Sequence, residues 1–506
     1  MATAINSIRI GEGPSPAMGA RGRIAVLALG VAATVQLAAP PGSALLTLPP
    51  TIVLLLLSSA TLVVSSRRKT LDSPASLSAI LYPLHFAMPG LLAAIGLMTA
   101  ESTLNAPFLA GALWRGTACF AGLLAGYELW MAIRGMGARE RSWGLSGSII
   151  APRLGTALAV GLISSGWLIR AYVIQQEVYF QSVRGDIGVL STGWTPYVRL
   201  VESFPLYASF LLAFLVAQQA AQGATTRRLS SYAIMVTVSE LLYWGVAGRK
   251  EETILALILP LLARHVISGH IPSRRFRTIL ITFVVLLFPL MNFYRLGLEA
   301  IAIAGGVTRQ DATEIVQSSQ ELYEGGALNQ VVNRVSLVEP VAAAIRIRDA
   351  GIELPGLEQG YWTVVYSVVP RFLWPSKPNV HFGTTFGQEA GLIESNDQVT
   401  SVAMGYVGEA VLVLGLAAPI AFMVFGFVSG IVYDATALHP STPRRFLYGI
   451  AMPGIIYIGG TAALYLGGYL KVLVLFSAAM FFASSRRQIA RRAAISEGVA
   501  DARSVR

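Results

Sequence analysis

The chain has 506 residues, 54% of them hydrophobic and only 13% charged, with a mean hydropathy of +0.61. A soluble protein carries roughly a quarter charged residues, so this composition excludes an ordinary soluble globule. The formal net charge of +11 would direct a soluble protein towards nucleic acid, but here the basic residues gather at the ends of apolar runs, and no nucleic-acid partner is expected.

Those runs are about 20 residues long, enough to cross a hydrocarbon core of about 30 Å. In chain order the expected spans are 24–41, 44–64, 77–99, 110–133, 154–174, 198–220, 230–247, 252–268, 278–297, 403–432, 446–466 and 468–484. The expected fold class is all-α, a polytopic helical membrane protein of about 12 spans, because the ten-residue alternating segments of a membrane barrel do not occur. Arg67 to Lys69, Arg139 and Arg141, Arg227 and Arg228, Arg274 to Arg277, Arg444 and Arg445, and Arg486 to Arg492 all fall on one side if the N-terminus lies inside. Short loops rich in Lys and Arg mark the cytoplasmic side. Residues 1–23 then form a cytoplasmic tail, 24–297 the first nine spans, 298–402 a large extracytoplasmic loop, 403–484 the last three spans and 485–506 a basic cytoplasmic tail. Within the loop, 311–348 reads as helical, and a fold is expected from Gly360 onward. Gly467 and Gly468 divide the last two spans. The single cysteine, Cys119, lies in an apolar run and leaves no disulfide within the chain.

Three stretches on the outward side carry ionisable groups. Ala247–Glu252, AGRKEE, places Arg249 and Lys250 where the charge rule predicts no cations. They suit an anionic headgroup, with Glu251 and Glu252 orienting them; the alternative is a self-neutralised corner with i,i+3 pairing. Val369–Pro378, VPRFLWPSKP, holds Arg371, Trp374 and Lys377 on a proline-stiffened interfacial segment, either for a ligand or as an anchor alone. His381 follows as a candidate for proton transfer. Met404–Gly415, MGYVGEAVLVLG, carries Glu409 near the outer end of a span, where an ionisable residue is costly and either functional or paired for structure. Arg295, closing the span before the loop, has the same standing. Glu240 and Glu202 read as structural, and Arg115 and Arg170 as snorkelling. Several cations and few acids on one face fit a diphosphate. No metal-ligand spacing and no nucleotide fingerprint occurs, so no metal site and no cofactor is expected.

On these three stretches, and over about residues 230–432, the sequence resembles the bacterial O-antigen and repeat-unit polysaccharide polymerases, which are integral membrane glycosyltransferases. The resemblance implies an inner-membrane enzyme with both termini cytoplasmic. It would join polyprenyl-diphosphate-linked oligosaccharide units on the outer side, beside membrane lipids, a flippase and a chain-length regulator. Under that reading Arg249, Arg371, Glu409, His381 and Glu251 are catalytic, and Lys250, Arg295, Lys377 and Trp374 bind the diphosphate or headgroup. The related O-antigen ligases share the architecture, but their arginine and histidine pattern is not clearly met, and the general base stays open among Glu409, His381 and Glu251. A flippase for lipid-linked sugars is the reading from another class.

Overall fold

The computed structural model describes residues 44–68, 70–95, 106–134, 149–175, 195–247, 249–269, 336–354, 360–369, 373–374, 376, 382–393, 395, 401–462 and 465–481. Among them all regular structure is helical. In chain order the helices are α1 (Leu48–Arg67), α2 (Pro74–Ala94), α3 (Ala106–Ile133), α4 (Pro152–Gln175), α5 (Val198–Ala221), α6 (Arg227–Val246) and α7 (Lys250–Ser268). There follow α8 (Val338–Asp349), α9 (Trp362–Val368), α10 (Gly383–Glu389), α11 (Gly405–Leu414), α12 (Ala418–Thr436), α13 (Thr442–Ile456) and α14 (Tyr465–Phe481).

Seven of the described segments are long and apolar enough to cross a membrane: α1 to α6, and α11 with α12 taken together. Each coincides with an expected span. The expected spans 24–41 and 278–297 lie outside the described residues. The run 252–268 is helical as α7, but charged residues flank its apolar stretch 254–263.

The last two spans need a correction. Residues 446–466 are not one helix: α13 ends at Ile456, and Tyr457–Thr461 is non-helical before α14. Pro453 removes a donor from the ladder, and Gly454, Gly459 and Gly460 favour leaving the helix over extending it. Gly467 and Gly468 sit inside α14 instead, where the missing side chain of Gly467 makes room for Ser367.

Close approach of backbones organises the centre. α3 and α12 run parallel, with Gly122 and Gly126 facing the carbonyls of Pro419 and Met423, and Gly426 facing that of Leu123. Small residues allow this contact, which replaces the hydrophobic drive that lipid does not supply. Charged groups mark one end of the bundle. Arg134 pairs with Asp434 at 2.9 Å and Arg68 with Glu128 at 3.3 Å. Asp72 accepts from the Tyr433 hydroxyl at 3.1 Å and faces His265 at 3.7 Å. Arg445 is buried and donates to carbonyls of His439, Val266 and Ile267. α6 starts at this basic end and rises 20 residues, about 30 Å, so Ala247–Glu252 lies at the opposite end.

The helix expected over 311–348 is present as α8 in its described part. It does not stand apart from the spans. Val341 to Ala344 are buried against α3 and α11. Just before α8, the Leu337 N–H donates to the His85 carbonyl at 3.1 Å, in the middle of α2. That carbonyl lies in a wide turn, Pro83–Ala87, where Met88 N–H bonds back five residues to Pro83. Pro83 and Pro89 lack N–H groups, so α2 cannot hold a regular ladder there. Backbone just ahead of α8 is therefore bonded into the bundle.

Candidate functional site

At the end away from the basic cluster, the first turn of α7 meets α14. Arg249 is extended and leads into the helix; its carbonyl accepts from the Thr253 hydroxyl at 2.6 Å. Its guanidinium donates to Glu252 at 3.0 Å and lies over the Trp244 ring, 5.4 Å from the centroid. The i,i+3 pairing anticipated for this corner is therefore present. Both partners keep roughly a quarter of their side-chain exposure, so the pair remains open to a ligand.

Glu251 points elsewhere. Its carboxylate accepts from the hydroxyls of Tyr465, at 3.1 Å, and Tyr469, at 3.4 Å. Tyr457 packs on Tyr465 with centroids 4.5 Å apart. Burial, and next the charge of Glu252, push the Glu251 carboxyl up to about 8, while the two tyrosine hydroxyls act in the opposite sense. A carboxyl that titrates near neutrality can both accept and return a proton.

Glu409 is buried on α11 and accepts the Ala462 N–H at 2.6 Å. It thereby satisfies a donor where the chain enters its last helix, a position at which negative charge is favoured. The first turn of α11 is tied to the same non-helical segment. Tyr406 N–H donates to the Ile458 carbonyl at 3.0 Å and its hydroxyl to that of Gly454 at 3.2 Å. Gly405 has φ +70°, and a Cβ there would come within 2.9 Å of the Ile458 oxygen, so only glycine lets the two backbones meet. Glu409 thus caps the entry to the last helix, and among the described residues no ion pair to it is formed.

Just before the second stretch, α9 packs against α14. Ser367 packs against Gly467 of α14, two residues from each of the tyrosines that hold Glu251 and so on the other side of that helix. Tyr366 meets Trp374 edge to face at 5.2 Å. Tyr361 lies close enough to Glu409 that, after burial, that charge is the next cause pushing its phenol up. Glu251 thus meets α14 at Tyr465 and Tyr469, Tyr406 and Glu409 meet residues 458 and 462, and Ser367 meets Gly467. Lys250 opens α7. Arg371, His381, Arg295 and Lys377 lie outside the described residues.

The three tyrosines were missed by sequence reasoning. Tyr465 and Tyr469 are four apart, one face of a helix, which was a legible signal hidden in an apolar run. Arg170 needs a correction too. It does not snorkel: it is fully buried and donates twice to Glu240, both bonds at 2.6 Å, and once to the Glu202 carbonyl at 3.1 Å. Tyr243 stacks on it, 3.8 Å from the ring centroid. Trp244, which carries Arg249 on its face, donates its indole N–H to Glu240 at 3.0 Å. Among the described residues no three His, Cys, Asp or Glu side chains come together as metal ligands.

No family model, no curated protein and no solved structure matches this chain. Its functional reading rests on its own residues.

Proposed function

We propose that the chain is a membrane glycosyltransferase that joins polyprenyl-diphosphate-linked oligosaccharide units on the side away from its basic end. The observation that carries the reading is the first turn of α7, which sets a guanidinium, Arg249, two residues from a carboxyl, Glu251, that titrates near neutrality. Glycosyl transfer from a lipid diphosphate needs these two functions. Breaking the bond from the sugar C1 to the diphosphate oxygen builds charge on the leaving group, which a preorganised guanidinium stabilises. The acceptor hydroxyl loses its proton to Glu251 as it bonds to C1, a step that general-base catalysis accelerates by roughly 10²–10⁴-fold. Tyr457, Tyr465 and Tyr469 offer ring faces and hydroxyls suited to a sugar. In this scheme Arg371 is the second cation on the diphosphate, and Glu409 holds the Tyr457–Thr461 segment in place.

The non-helical Tyr457–Thr461 segment gives the flippase reading its one specific support, because broken helices recur at transporter sites. Purified protein in vesicles with lipid-linked units separates the two. A lengthened glycan supports transfer; movement of units between leaflets without lengthening replaces it with transport. Arg249→Ala and Glu251→Gln should each abolish lengthening at unchanged protein level, and long chains from both variants would refute the assignment. An acceptor of lipid A core type in place of a second unit would make the enzyme a ligase.

A further inference from the structure

A cavity of about 280 Å³ opens where α3, α8 and the α11–α12 junction meet. It is lined by Arg115, Ile345, Arg348, Asp349, Val411 and the Gly415–Leu416 pair. None of these belongs to the site described above.

Two guanidinium groups share this cavity. Arg348 is set by the backbone: it donates to the Val411 carbonyl at 2.7 Å, where α11 ends. Gly415, at φ +58°, lies directly beneath it, and any Cβ at that position would overlap the guanidinium. The fork is thus seated on a glycine, with the N–H groups not used on Val411 and Leu412 free to bond outward. Arg115 comes from α3, is half-buried, and makes no hydrogen bond or ion pair among the described residues. A snorkelling arginine would run outward alone to the interface. Here two guanidinium groups and one carboxylate, Asp349, face one space, which leaves it a net positive charge that an anion would balance.

Depth and charge identify the anion. Arg115 stands 19 residues before Arg134, which follows the last turn of α3, about 28 Å from the basic end and close to the thickness of a hydrocarbon core. The cavity therefore sits at headgroup level in the leaflet away from the basic end. Leu416, 77% exposed beside it, gives an apolar flank for a lipid chain. Asp349 reduces the cavity to one net positive charge. That balance fits a singly charged phosphodiester better than the dianion of inorganic phosphate. We propose that the Arg115–Arg348 cavity binds the phosphodiester of an anionic membrane lipid, with one guanidinium on each side of the phosphate. This goes beyond the transfer reaction and does not depend on it.

The test is lipid binding by the full chain, read by native mass spectrometry. Delipidated protein in detergent is titrated with phosphatidylglycerol and, as a phosphate-free control, with diacylglycerol. One phosphatidylglycerol should be retained more tightly than the rest. Arg115→Gln should lower that affinity about tenfold or more, the loss expected for a charge-assisted bond, and Arg115→Lys should restore part of it. Because Arg115 makes no hydrogen bond or ion pair among the described residues, its loss should leave the fold intact. Arg348→Gln, which also loses the Val411 contact, serves as the second variant with its melting temperature measured alongside. Equal retention by wild type and Arg115→Gln, or equal retention of diacylglycerol, would overturn the proposal. Displacement of the bound lipid by millimolar inorganic phosphate would overturn the lipid as its source.

Discussion

Glu240→Gln tests the buried network beneath the candidate site. Arg170 and Glu240 are both fully buried and joined by two bonds of 2.6 Å. Gln keeps the shape but removes the charge, and its amide sets an N–H group against a guanidinium N–H. Arg170 then remains buried with two neutral acceptors, the remaining amide oxygen and the Glu202 carbonyl, and no carboxylate at position 240. Removing one partner of a buried pair costs roughly 3–5 kcal/mol, because the other charge stays uncompensated. Replacing both, as Arg170→Met with Glu240→Leu, should recover most of that loss, since a dry apolar pair avoids the desolvation cost. The assay is equilibrium unfolding in mixed SDS and mild-detergent micelles, run as a double-mutant cycle. A shift under about 0.5 kcal/mol for Glu240→Gln would mean the pair is solvated and the reasoning wrong. So would a double variant as unstable as the sum of the singles. Because the Trp244 indole bonds to Glu240, the single variant should also loosen the ring that carries Arg249.

Two further expectations concern stability. Glu251 holds its proton to about pH 8 when folded, against 4.5 as the reference for an unfolded chain. Between those values the native state binds more protons, so its stability should fall as pH rises and level off above the folded pKa. Unfolding midpoints from about pH 5 to 9 should show this slope, and Glu251→Gln should flatten it; the same slope in both proteins would assign it to another group. At the α3–α12 contact, a Cβ on Gly126 would overlap the Met423 carbonyl, whereas nothing lies within 4 Å of Gly161 on α4. Gly126→Ala should therefore destabilise by about 1–3 kcal/mol, and Gly161→Ala should be neutral or slightly stabilising. Equal midpoints for the two variants would show that α3 and α12 are not in backbone contact.

Much of the architecture was legible in the chain itself, because lipid imposes a length and a composition that no packing detail can override. The seven spans found among the described residues follow from that constraint alone. The AGRKEE, WP and GYVGEA stretches could be singled out because a charge or a rigid aromatic segment is conspicuous in an apolar chain. What each of those charges meets was not legible. Arg170 reads as a snorkelling side chain until Glu240, 70 residues away, is brought against it. Glu409 is an ionisable residue in a span until the chain breaks at Tyr457–Thr461 and offers it the Ala462 N–H. The break itself needed the structure, since prolines and glycines are tolerated inside spans whenever neighbours satisfy the freed groups. The same holds for α8, whose sequence looks like part of a polar loop and whose burial comes from packing against α3 and α11. Hydropathy is a property of each segment and is written in it. Partner choice for a buried polar group belongs to pairs of segments far apart in sequence, and only the folded bundle decides it.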